Sequence, residues 1–321
     1  MTVRSSRLGR ALAAALLVLT GCADTTDLAG TSTDDAASES IDEPTEEPTD
    51  EPTKEPTEEP TEGPTEEPTA GPTEEPTEEP TEPPVEPATR PQRGDCLSLT
   101  STDVFYDVLR EIPESKPCSQ RHVGQITDVE PLSPAMRQAV DSGNIGPVTD
   151  RLQGRCLDST QNWLGTDEEG FVISQFFSLP ALPSYAQSQA GADWFACITY
   201  VIQRGTTLLA LPRDTRRLLT DNTNSPYGTC ARAAISNAGD DRVVCSITHN
   251  WRAVGAVKLG GPSASFDGEN RVRERVRASC ETQVRDYLDT TAAYEYGYTW
   301  PTRSLWNDGD RYGVCYAKVD V

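Results

Sequence analysis

Two short stretches of this 321-residue chain place a cysteine four positions before a histidine, with a serine directly after the cysteine. Cys118, Ser119 and His122 stand in PCSQRHVGQ (117–125), and Cys245, Ser246 and His249 stand in VCSITHNWR (244–252). The chain has two histidines, and these are they. Three kinds of chemistry suit residues of these types. A thiolate and an imidazole each ligate zinc, and four such ligands complete a structural site. A Cys–His pair makes a nucleophile if the thiol is free to ionise, and Ser119 or Ser246 offers a serine alternative. A neutral imidazole also donates one hydrogen bond and accepts another, which ties a loop to its neighbour.

The elements around the two motifs repeat as well. Apart from Cys22, the cysteines are 96, 118, 156, 197, 230, 245, 280 and 315, two sets of four. GDCLSL (94–99) opens the first set and YGTCARA (227–233) the second. HVGQITDV and WRAVGAVKL, at and after the histidines, read as strands. RVRERVRASCETQVRDYLDT (271–290) places Val272, Val276, Cys280, Val284, Tyr287 and Leu288 on one helical stripe. PVTDRLQGRCLDSTQNWLGT (147–166) aligns with it without a gap, through Val148, Leu152, Cys156, Trp163 and Leu164, with Thr160 in the place of Val284. Pro147 suits a first helical position. The closing segments PSYAQSQAGADWFAC (183–197) and PTRSLWNDGDRYGVC (301–315) match at Pro183/Pro301, Gly191/Gly309, Trp194/Tyr312 and Cys197/Cys315. Strand patterns follow each final cysteine. The expected fold is therefore α+β: two tandem disulfide-stapled repeats, 94–208 and 209–321, each a helix packed on an antiparallel sheet.

The N-terminal third sets the compartment. Arg4, Arg7 and Arg10 precede the apolar run Ala11 to Leu19. Nine helical residues span about 14 Å against a bilayer core of about 30 Å, so the run reads as a secretory signal and not as a membrane span. LTGC (19–22) resembles the bacterial lipobox, which implies cleavage after Gly21 and lipid attachment to Cys22. Residues 22–93 form an acidic linker in which Pro-Thr recurs every four residues from 44 to 80. Proline at that period excludes a helix. The near-absence of apolar residues excludes a core, so a disordered, extended stalk with a reach of about 120 Å is expected. This linker holds 23 acids and three bases, and residues 1–21 hold three arginines and no acid, so the net charge of −23 leaves −6 on residues 94–321. A mildly acidic folded part is a poor match for a phosphate backbone, and no nucleic-acid partner is expected.

Export weighs on the chemistry. An even number of cysteines in an exported chain argues for disulfides, and disulfide sulfur is a poor metal ligand and no nucleophile. If each set of four pairs within itself, three pairings remain for each. The favoured one joins first to second and third to fourth: Cys96–Cys118, Cys156–Cys197, Cys230–Cys245 and Cys280–Cys315. No Gly-x-Ser-x-Gly, Ser-x-x-Lys or His-Glu-x-x-His occurs. Asp193 and Asp310 flank the last cysteines but do not align. No catalytic residue, metal or cofactor is expected, and His122 and His249 are read as structural or partner-binding. A cell-envelope hydrolase or metal-dependent factor using these histidines is the alternative, since paired glycosidase carboxylates need no local motif.

Taken together, Gly94, Asp95, Cys96, Pro117, Cys118, Ser119, His122, Cys156, Pro183 and Cys197 resemble the pattern of the septum-formation domain family. Cys230, Cys245, Ser246, His249, Cys280, Pro301 and Cys315 repeat much of it. Family members often carry proline before the histidine and an acid three residues after it; here stand Arg121 and Gln125, then Thr248 and Arg252. The resemblance implies a secreted or membrane-tethered envelope protein linked to division, and implies no established chemistry. The expectation is a non-enzymatic lipoprotein on the extracytoplasmic face of the cell membrane, held there by its lipid anchor and binding an envelope protein or a cell-wall component. Metabolic labelling with palmitate should mark the wild-type chain and not Cys22→Ala; an unlabelled wild type would remove the anchor.

Overall fold

The computed structural model describes residues 89–319, except residue 223 and residues 237–240. The signal segment, Cys22 and the Pro-Thr stretch lie outside the described residues. In chain order the elements are β1 (Cys96–Leu97), β2 (Leu109–Arg110), β3 (Ser115–Lys116), β4 (Gly124–Pro131), α1 (Pro134–Asp141), α2 (Gly146–Leu164), α3 (Glu168–Val172), β5 (Phe176–Leu182), α4 (Tyr185–Gln189), β6 (Trp194–Arg204) and β7 (Thr207–Leu208). Then follow β8 (Thr229–Ala231), β9 (Arg242–Val244), β10 (Trp251–Lys258), α5 (Glu269–Leu288), β11 (Tyr296–Thr299), α6 (Arg303–Asn307) and β12 (Tyr312–Lys318). Among the described residues no helix is long and apolar enough to cross a membrane.

Local chemistry explains the helix limits. In α2 the stripe Val148, Leu152, Cys156, Thr160, Trp163 and Leu164 is buried, and Gly165 ends the helix at φ 74°. That left-handed turn suits glycine, which has no Cβ to clash. In α5 the buried stripe is Val272, Val276, Cys280 and Val284. The short α4 and α6 start on Ser184 and Thr302, whose side chains accept from the backbone N–H of Gln187 and Leu305.

The strands join in one sheet, ordered β11-β12-β10-β8-β9-β6-β4-β1-β3, with β5 and β7 also pairing with β6 and β2 pairing with β5. Pairing is antiparallel throughout except for β2 with β5. β1 meets β4 at Cys96↔Gln125 and Leu97↔Gly124, and β8 meets β10 at Cys230↔Arg252 and Ala231↔Trp251. β4 bulges between Ile126 and Asp128, and β10 bulges between Ala253 and Gly255. Directly after the bulges, Asp128 faces Cys197 and Gly255 faces Cys315.

Helix α2 lies on β4, β5 and β6, and α5 lies on β10, β11 and β12. Disulfides Cys156–Cys197 and Cys280–Cys315 fasten each helix to the strand beneath it. A Cβ on Gly313 would come within 2.4 Å of Val276, so glycine there is what admits α5 so close to β12. In the chain-entropy model, bridges closing loops of these lengths contribute about 3 to 4 kcal/mol each. Against a typical domain stability of about 5–15 kcal/mol, each bridge is a sizeable contribution.

Two core clusters cross the midline. Trp163, Leu164, Phe176, Val201, Leu211 and Leu219 bury with Val244. Val172 and Ile173, at the end of α3, bury with Ala253, Ala256, Tyr312, Val314 and Tyr316. The segment after β7 also packs backwards. Leu209, Leu211, Arg217 and Leu219 donate backbone N–H to the carbonyls of Val201, His122, Trp163 and Leu164, each at 2.9 Å. The boundary expected at residue 208 therefore falls just before a segment that completes the first half, because Leu211 and Leu219 are buried there. At the other limit, Gln92 N–H donates to Asp95 and Arg90 to Val129 O, so residues before Gly94 are also tied to the domain.

Candidate functional site

Each Cys-Ser-x-x-His motif folds as a tight corner. Gln120 N–H donates to Pro117 O at 2.9 Å, and Ile247 N–H to Val244 O at 3.2 Å. The motif cysteine inside each turn is bonded to the opening strand, as Cys96–Cys118 and Cys230–Cys245, with Cα separations of 5.3 and 5.0 Å. The structure thus joins the same four cysteine pairs that sequence spacing favoured. After the corner the chain enters the next strand, where Val123 N–H bonds Leu97 O and Asn250 N–H bonds Ala231 O.

The histidines sit inside these corners, each 2 % exposed. The rings fold back on their own turns, with His122 Nδ1 2.9 Å from Gln120 O and His249 Nδ1 2.7 Å from Ile247 O. Their outer nitrogens differ. His122 Nε2 lies 3.0 Å from Pro212 O, so both of its nitrogens face carbonyl oxygens. Both carbonyls are acceptors, so the ring's hydrogen-bonding is directed wholly at backbone oxygen. His249 Nε2 is buried and has no hydrogen-bond partner among the described residues.

Beside His122 stands a polar network that sequence reasoning did not single out. Gln125, 2 % exposed, accepts at Oε1 from Thr215 N–H (2.9 Å) and Thr215 Oγ1 (2.6 Å). Its Nε2 donates to Gly94 O and Arg213 O, both at 3.1 Å. Trp163 Nε1 donates to Thr215 Oγ1 at 2.8 Å. Gln125 thereby locks the Arg213–Thr215 strap to the first strand's entry. Next to the strap, the Arg216 guanidinium hydrogen-bonded to Asp214 holds that carboxyl below its usual range, and Arg216 and Arg93 both lie over the Trp163 ring. A signal was present in the sequence: Gln125 occupies the position where an acid is common in the resembled family. In the second corner Arg252 takes this place and donates to Ser225 O at 3.3 Å.

The geometry bears on each chemistry considered. Ligand atoms of Cys230, Cys245 and His249 lie within 4.8 Å of one another. Two of those three are oxidised to one disulfide, so the set does not fit the four-ligand zinc pattern. His122's nitrogens meet backbone carbonyls and not a serine hydroxyl or carboxylate. Along β11 and its flanks, Tyr294, Tyr296, Tyr298 and Trp300 form a half-buried ladder packed against the α5 core, with ring centroids 5.6 to 6.1 Å apart. Arg285 lies over Tyr294 and Arg273 over Trp300.

These features define a disulfide-stapled domain of mixed helix and antiparallel sheet. Residues 93–315 match the family model described as septum formation, and the chain belongs to that family. Residues 39–91 match the model described as PT disordered repeat. No curated protein and no solved structure matches the chain. Gln125→Glu keeps the side chain's size but turns an oxygen toward the carbonyls of Gly94 and Arg213. It should lower the free energy of unfolding by about 2 to 4 kcal/mol in denaturant titration; a loss below about 0.5 kcal/mol would contradict the locking role.

Proposed function

We propose that this protein is a non-enzymatic, lipid-anchored lipoprotein that holds a partner-binding domain away from the extracytoplasmic face of the membrane. Lipid on Cys22 anchors it, the acidic Pro-Thr stalk carries the domain outward, and the domain binds an envelope protein or cell-wall component during a division-linked process. The observation that carries this reading is membership of the septum formation family across residues 93–315. Two further features support it. The first-half histidine is engaged by backbone carbonyls at both nitrogens. The half-buried aromatic ladder runs through β11, at one end of the sheet order, and leaves ring edges beside arginines of α5.

The domain is also proposed to descend from a tandem duplication. In its favour are the matching strand registers, the bulges after Ile126 and Ala253, and the four disulfides in two corresponding pairs. The primary reading is tested by photo-crosslinking on intact cells, with a crosslinker placed in turn at exposed positions of residues 94–321. A discrete crosslinked envelope protein or wall fragment is expected, and its absence at every position would count against partner binding.

A further inference from the structure

The two histidine corners are built alike, but only one of them is closed by a further segment of the described chain. At the first corner, residues 209–215 run along the histidine. Leu211 N–H donates to His122 O at 2.9 Å, and Pro212 O meets His122 Nε2 at 3.0 Å. Both contacts use the segment's backbone. At the second corner, His249 is 2 % exposed with Nδ1 engaged by Ile247 O at 2.7 Å, and Nε2 has no hydrogen-bond partner among the described residues. A buried nitrogen left this way is costly unless something meets it. His249 also lines a pocket of about 300 Å³ whose other walls are Arg232, Ala233, Asp241, Thr248 and Asn250.

We propose that this pocket takes an extended peptide segment of a partner protein, laid along His249 as residues 209–215 lie along His122. This rests on the partner-binding reading above and gives the partner a chemistry. The volume sits at the small end of ligand sites, which suits a few residues of chain and not a large cofactor. The walls are mostly polar, which suits a ligand that is mostly backbone. A peptide backbone offers N–H and C=O together, so it serves Nε2 whether the ring accepts or donates there. Asp241 is already held by Arg204 at 2.8 and 3.0 Å, while Arg232 stands 3.9 Å from it, which leaves Arg232 donors for incoming carbonyls.

The test uses the full chain and a fluorescent synthetic peptide of residues 209–215, LALPRDT, read by anisotropy. Thr248 is exposed at the pocket wall, so Thr248→Trp fills the pocket without entering the core. Saturable binding is expected, weakened at least tenfold by Thr248→Trp and by His249→Gln. Arg121→Trp, at the corresponding exposed position of the first corner, should leave the affinity unchanged. No saturable binding at millimolar peptide, or equal affinity in wild type and Thr248→Trp, overturns the proposal. In cells, crosslinks that persist unchanged in Thr248→Trp overturn this pocket while leaving partner binding in place. Crosslinks lost in Thr248→Trp and kept in Arg121→Trp support it.

Discussion

Strand β6 carries the whole arrangement, because an eleven-residue, largely buried strand must have both edges hydrogen-bonded. A buried backbone group without a partner costs as much as a lost hydrogen bond, so each edge recruits a neighbour along its length. The first part of β6 lies between β4 and β5, and its end is taken up by β7 and, at Arg204↔Val243, by β9. Sheet continuity across the midline follows from that last pairing. So does the shared core: Val201 of β6 buries with Phe176 and Leu219 on one side of the sequence midline and Val244 on the other. Cys197, also on β6, fixes α2 above the sheet.

With the sheet in place, the corners become intelligible. Each is a turn clipped to the opening strand by a disulfide, with a histidine folded inward to use its ring as a spacer and hydrogen-bond donor. At the first corner the strap of residues 209–215 finishes the job through His122, Gln125 and Thr215. A motif that in isolation offers half a zinc site is held in a form where its sulfurs are bonded to other sulfurs. The difference between the halves is thus one of completion: the same corner is covered by a strap in one and borders a polar pocket in the other.

Much of this was legible in the sequence, and the reason is periodicity. The helical stripes through Cys156 and Cys280 could be read because apolar residues recur every three to four positions, and both stripes are buried. Strand patterns after each histidine were equally plain. The strap was not legible. Residues 209–226 carry proline, aspartate and asparagine and read as a connector, although Leu211 and Leu219 are buried. What fixes them is tertiary: backbone donors meeting carbonyls far away in sequence, which no local pattern encodes. Gln125's position was marked but its role was not, since its partners come from residues 94, 96, 213 and 215. Helix α3 was also unpredicted; only the second half's sheet gives Val172 and Ile173 something to cover.

Membership of the septum formation family fits a domain whose design spends its chemistry on holding shape. Four disulfides, two turned-in histidines and one continuous sheet hold the described residues together. The central physical claim is that both halves stand or fall together through β6. Native-state hydrogen exchange of wild type and Val201→Ala tests it most directly, since Val201 is fully buried at the midline. The account predicts that Val201→Ala lowers the protection of the Ile198 amide in β6 and of the Tyr316 amide in β12 by the same amount, about 2 kcal/mol. If Ile198 loses protection while Tyr316 keeps all of its own, the halves are independent and the account is contradicted.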